Sequence, residues 1–166
     1  MKHSLDEIEI DVEGLVALFL NSHRIFVYGA GRSGLVAKAF AIRLAHLGFQ
    51  TFVIGESICA PVQQKDLVII VSGSGETIPS VMTAEIAERI GAKLLVVTGK
   101  KNGPLNNLAD MAILFPQIND DKKRECAPLG TVFEATAWIF LDSIIAVLMK
   151  ETGENESTMS ARHSTL

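Results

Sequence analysis

Apolar and polar positions along the 166-residue chain alternate between two textures. Short apolar runs, "RIFVYG" (24–29), "TFVIG" (51–55), "LVIIVS" (67–72), "KLLVVTG" (93–99) and "MAILFP" (111–116), are rich in β-branched residues and bounded by Gly, Pro or polar residues. Strands buried on both faces of a parallel sheet have this composition. Between them, "SGLVAKAFAIRLAHLG" (33–48) and "TIPSVMTAEIAERIG" (77–91) repeat their apolar residues at helical spacing and stop at glycine. A shorter helix is expected near Leu105–Ala109, and a first helix over roughly Leu5–Leu20. The alternation predicts an open, doubly wound α/β fold: a three-layer α/β/α sandwich with a five-stranded parallel sheet, flavodoxin-like or Rossmann-like.

The last helix differs from the others. "TVFEATAWIFLDSIIAVLM" (131–149) is apolar on nearly every side and close to the ~20 residues that span a bilayer. Glu134 and Asp142 interrupt it, and charges at membrane depth are costly. Burial in the core or between subunits is the better reading, and it predicts a homo-oligomer rather than a membrane partner. Residues 1–150 read as a single domain. Beyond them, "ETGENESTMSARHSTL" is polar and reads as a disordered tail.

Composition narrows the function. Apolar residues make up 48 % and charged residues 20 %, as in folded globular chains. The net charge of −4 and the lack of any basic run exclude nucleic acid and anionic membrane as main partners. The N-terminal "MKHSLDEIEIDVEG" has no apolar signal core, and Cys59 and Cys126 have no paired spacing. Both point to the reducing cytoplasm. His3, His23, His46 and His163 are scattered, so no metal site is expected.

Two glycine loops hold the candidate chemistry. Gly29-Ala30-Gly31-Arg32-Ser33-Gly34 follows a strand and opens a helix. It matches the GxGxxG dinucleotide fingerprint, with Glu56 about where a ribose-binding acid would fall. It is equally compatible with a plain strand–helix turn, and Arg32 and Ser33 are anion-friendly. The second loop, Ser72-Gly73-Ser74-Gly75-Glu76-Thr77, offers three hydroxyls, two glycines and the positive end of the next helix. Such a set suits a phosphate monoester. A helix cap would need one hydroxyl, not three. No Gly-Lys-Ser/Thr follows, so this is not a Walker loop. Two facing loops suit a small phosphorylated molecule better than a dinucleotide.

"YGAGRSG" followed by "SGSGET" resembles the sugar isomerase (SIS) domain family, whose members bind phosphosugars through that Ser/Thr-rich loop. Within it, "VYGAGRSGLVAKAFAIRLAHLGF" (27–49), "GE" (55–56), "PLGTVFE" (128–134), "FLD" (140–142) and "RH" (162–163) resemble the 6-phospho-3-hexuloisomerase family. The resemblance implies interconversion of D-arabino-3-hexulose 6-phosphate and fructose 6-phosphate, after formaldehyde fixation in the ribulose monophosphate pathway. It implies 3-hexulose-6-phosphate synthase as functional partner, no cofactor, and a homotetramer whose tails complete neighbouring sites.

Moving a carbonyl from C3 to C2 through an enediol needs one base within reach of both carbons. Glu134, one turn into the apolar helix, is the candidate, because burial there should make it a more effective base. A first-turn acid serving the helix dipole is the plainer alternative. The resemblance adds His163, assisting ring opening or polarising the carbonyl from a neighbouring subunit. Ser72, Gly73, Ser74, Gly75 and Thr77 would hold the phosphate. Gly31, Arg32, Ser33, Glu56, Glu76, Gly130 and Thr131 complete the expected substrate contacts, Arg32 as a charge partner for phosphate or enediolate. Glu76 is the rival base. Arg162 would contact phosphate or solvent, Lys38 solvent, and His46 and His23 helix dipoles. The competing functions are a C1–C2 phosphosugar isomerase, a non-catalytic phosphosugar sensor and a nicotinamide oxidoreductase.

Overall fold

A computed structural model describes residues 10–115 and 126–163. Its elements are α1 (Val12–Leu20), β1 (Ile25–Gly29), α2 (Arg32–His46), β2 (Thr51–Val53), β3 (Leu67–Ser72), α3 (Ile78–Ile90), β4 (Lys93–Thr98), α4 (Pro104–Leu108), β5 (Met111–Leu114), α5 (Thr131–Thr152) and α6 (Glu156–Ala161). The strands form one parallel sheet in the order β2-β1-β3-β4-β5. The three-layer α/β/α expectation holds, and every expected strand is found within two residues of its sequence-derived ends. Asp11 caps α1; the part of the expected first helix before residue 10 lies outside the described residues.

Strand periodicity divides the core. Ile25, Val27, Leu67, Ile69, Val71, Leu95 and Val97 point to one side and pack with residues of α1, α2 and α5. Phe26, Val68, Ile70, Leu94 and Val96 point to the other, against Ala84 and Ala87 of α3 and Leu105 of α4. Side chains one residue apart face opposite sides of a sheet, so an all-apolar strand must be covered twice. The central strand, β3, is buried along its whole length.

Helix α5 buries one face through Ala137, Phe140, Leu141, Ile144, Ile145 and Leu148. Its other face leaves Trp138, Ile139 and Val147 exposed, and Leu35 and Ile42 of α2 are exposed as well. A helix apolar all round therefore has one side in this chain's core and one side uncovered.

The tail corrects the sequence expectation of disorder through residue 163. Gly153, at φ 71°, ends α5, and Asn155 and Thr158 form a reciprocal capping box that starts α6. Met159 is buried in the core. Arg162 donates to both oxygens of Glu154 at 2.8 Å and to the His46 carbonyl at 3.0 Å. The polar composition concealed a cap, one apolar anchor and a bidentate ion pair, which together suffice to dock a six-residue helix.

Candidate active site

Strand order reverses between β1 and β3, so the loops after these strands flank the crevice where open α/β sheets bind ligands. The first loop is drawn tight. A Cβ on Gly34 would lie 2.4 Å from the Gly29 carbonyl oxygen, so the start of α2 rests directly on the end of β1. Gly31, at φ 59°, occupies the cap position of α2 with no side chain over the helix end.

The second loop gathers its hydroxyls. Ser72 ends β3 and is buried, and its Oγ lies 3.3 Å from Thr77 Oγ1; Ser74 Oγ lies 3.2 Å from the same atom. Thr77 holds the cap position of α3 yet makes no side-chain capping bond. The capping alternative thus fails at the residue best placed for it. Gly75 takes φ 67°, and a Cβ there would meet Thr98 Oγ1 at 3.0 Å.

Helix α5 brings the third component. A Cβ on Gly73 would lie 2.9 Å from the Phe133 ring, so the first turn of α5 abuts the hydroxyl loop. Leu129, the one non-glycine with positive φ (58°) among the described residues, makes the turn into this helix. A left-handed leucine stores local strain, a feature concentrated at functional sites. Thr131 Oγ1 donates to the Pro128 carbonyl at 2.7 Å. Glu134 folds back so that its Oε1 lies 3.2 Å from where a Gly130 Cβ would stand.

Three ion pairs rim this edge. Arg32 Nε donates to Glu134 Oε2, Lys38 to Glu56, and Lys100 to Glu76. The Glu134 side chain is only 12 % exposed, whereas that of Arg32 is 64 % exposed. Glu134 is therefore sheltered as expected, but beside a cation rather than in wholly apolar surroundings. Arg32 has a carboxylate partner already, and Lys38, expected in solvent, holds Glu56. A cleft of about 470 Å³ opens here, lined by Arg32, Thr131 and Glu134 together with Leu35, Trp138 and Ile139.

Gly31, Arg32, Ser33, Glu56, the residues 72–77, Gly130, Thr131 and Glu134 thus lie along one edge of the sheet. His163 is not among them in its own chain. Its ring stands 5.0 Å from that of His46, at the far end of α2, and the 15 residues of that helix span roughly 22 Å. Burial pushes the His46 imidazole below its ordinary range, and the His163 and Arg43 charges push it the same way. His46 is therefore more than a dipole complement. Sequence reasoning missed Lys100; the available signal was a cation two residues beyond the carboxyl end of a central strand.

The SIS domain family matches residues 18–130, and the chain belongs to that family. The 3-hexulose-6-phosphate isomerase of Bacillus subtilis is 38 % identical over 160 residues, covering 94 % of this chain and 86 % of that protein. That of Methylomonas aminofaciens is 38 % identical over 145 residues, covering 86 % and 80 %. A crystal structure of a hypothetical protein from Methanococcus jannaschii, for which the function of 3-hexulose-6-phosphate isomerase was inferred, superposes with a TM-score of 0.86 at 34 % identity. That match covers 93 % of this chain and 85 % of the other.

Proposed function

We propose that this protein is an isomerase that interconverts D-arabino-3-hexulose 6-phosphate and fructose 6-phosphate through a 2,3-enediol. The observation behind the reading is the seating of Phe133 against Gly73, which brings the first turn of α5, the turn that carries Glu134, up to the hydroxyl loop. The isomerase relatives, similar over nearly the whole chain, support the same reaction class.

Ser72, Ser74, Thr77 and the amides at the start of α3 hold the phosphate, a handle remote from the reacting carbons. Its binding orients C2–C3 against the base. Glu134 removes the proton from C2 of the 3-ketose as the C3 carbonyl oxygen takes up a proton, giving the enediol. It then returns the proton to C3 as the C2 hydroxyl gives up its own and becomes the carbonyl. Nothing is oxidised overall, and one carboxylate on one face of a cis-enediol performs both transfers. Arg32 fixes Oε2 of that carboxylate and faces the crevice as a donor to enediolate oxygen. Glu56 and Glu76 contact sugar hydroxyls in this scheme, with Gly31, Ser33, Gly130 and Thr131 shaping the loops around them.

His163 acts from a neighbouring copy, since a helix length separates it from Glu134 of its own chain. Two exposed apolar strips support a homotetramer: Leu35, Ile42, Trp138 and Ile139 on α2 and α5, and Ile78, Met82 and Ile86 on α3. Two separate self-complementary patches are what a dihedral tetramer needs. The substrate comes from a 3-hexulose-6-phosphate synthase, and the free thiols of Cys59 and Cys126 suit work in the cytoplasm.

Proton NMR of fructose 6-phosphate in D2O tests the reaction. Loss of the C3 proton signal with wild-type protein, and its persistence with Glu134→Gln, is the expected result. Exchange at C1 would assign a 1,2-isomerase instead, and binding without exchange a sensor.

A further inference from the structure

A phosphate ester brings about −1.5 to −2 charges at neutral pH, whereas a helix start offers only about +0.5. The hydroxyl loop itself contains no cation. Arg32, paired with Glu134, and Lys38, paired with Glu56, both stand on α2, the helix that follows β1. Lys100 instead follows β4 and is built into the loop's own scaffold. Thr98, the residue two before it, pairs in register with Ser72. The Lys100 amide donates to Thr98 Oγ1 at 3.3 Å, and the Gly99 amide donates to the Gly73 carbonyl at 3.2 Å. The Leu105 amide, at the next helix, donates to the Gly75 carbonyl at 3.4 Å. The Lys100 stem runs over Gly75, its Cβ 3.7 Å from where a side chain there would begin. Its ammonium ends on the Glu76 carboxylate.

From this we infer that Lys100 is the charge partner of the bound phosphate, and that Glu76 is its keeper rather than a base. The inference rests on the phosphosugar reading above. Glu76 holds the ammonium at the rim, half-exposed and free to pivot on a four-carbon stem. When a phosphate dianion enters the hydroxyl cradle, the ammonium turns to it or bridges phosphate and Glu76. Lys100 thereby selects dianionic monoesters over monoanionic or neutral sugars, and acts on binding rather than on the proton transfers.

The test is calorimetric titration of fructose 6-phosphate and of inorganic phosphate into wild-type protein, Lys100→Met, Lys100→Arg and Lys101→Met, with exchange rates by NMR. Lys101 is exposed and outside the site, so its variant controls for net charge. Lys100→Met is expected to weaken both ligands roughly tenfold to a hundredfold, the range of a charge-assisted hydrogen bond, with a larger effect on affinity than on the saturated exchange rate. Lys100→Arg should recover most of the affinity. Wild-type affinity should fall as the pH drops from 7.5 to 5.5 and the dianion is protonated, and Lys100→Met should flatten that dependence. Lys100→Met matching wild type, or Lys101→Met weakening binding equally, would overturn the assignment while leaving the phosphosugar reading intact. If wild-type protein binds neither ligand, the phosphosugar reading falls and the Lys100 assignment with it.

Discussion

The two ends of the sheet both carry ion pairs, but the pairs are built differently. At the amino end Asp66 is fully buried, receives Arg24 at 2.7 Å and also accepts from the Gln63 amide at 2.7 Å. The Arg24 guanidinium lies 5.2 Å from the centre of the Phe26 ring, and Asp66 holds its pKa above the ordinary value. At the same end, Arg162 joins Glu154 to a backbone carbonyl. Each of these pairs is locked to main chain. At the carboxyl end Arg32–Glu134, Lys38–Glu56 and Lys100–Glu76 join side chain to side chain. Pairs anchored to backbone resist exchange, whereas pairs held by side chains alone can trade a partner for a ligand at lower cost. One end is thus built for holding and the other for binding.

Substitutions can break that contrast. The largest effect is expected for Glu134→Gln, with a loss of C3 exchange of about 10²- to 10⁴-fold and an unchanged far-ultraviolet circular dichroism spectrum. Next, Arg24→Met strands a buried carboxylate and should lower the melting temperature by several degrees. Lys38→Met, at the exchangeable end, should leave stability within about 0.5 kcal/mol in the same thermal melts. A Lys38→Met melt as low as that of Arg24→Met would erase the distinction between the ends.

Glu76→Gln sharpens the contrast further. Releasing Lys100 from its keeper should tighten inorganic phosphate binding about twofold to fivefold, the size of one exposed ion pair, with C3 exchange falling far less than in Glu134→Gln. Loss of exchange equal to that of Glu134→Gln would make Glu76 a base after all.

The smallest effect concerns the tail and pH. Arg162 holds the Glu154 carboxyl down to about 2, from an ordinary 4.5. A value lowered by folding stabilises the docked tail fully above 4.5, and that contribution is lost as the pH falls toward 2. His46 is also pushed down, so its contribution weakens as the pH falls below its ordinary 6.5. Arg43 and His163 face it, Arg162 binds its carbonyl, and Glu156 shares the same cleft. Hydrogen exchange of α6, corrected for intrinsic rates, should speed up modestly between pH 7 and pH 5.5, and His46→Gln should remove that change.

By itself the sequence determined the layers and the location of the chemistry. Apolar runs such as "LVIIVS" (67–72) cannot lie anywhere but in the middle of a doubly covered sheet. The glycines at 29, 31, 34, 73 and 75 mark where backbone must turn or touch. Those are local properties, written in composition and period. What tertiary structure alone decided is which side chains meet. Arg32 and Glu134 lie 102 positions apart and Lys100 and Glu76 24 apart, and they became partners only through the strand order. The tail was misread for the same reason: its order comes from Met159 finding the core and Arg162 finding His46, contacts that no local propensity records. Strand order and helix docking are set by long-range burial, and so the pairing of charges is a property of the folded chain.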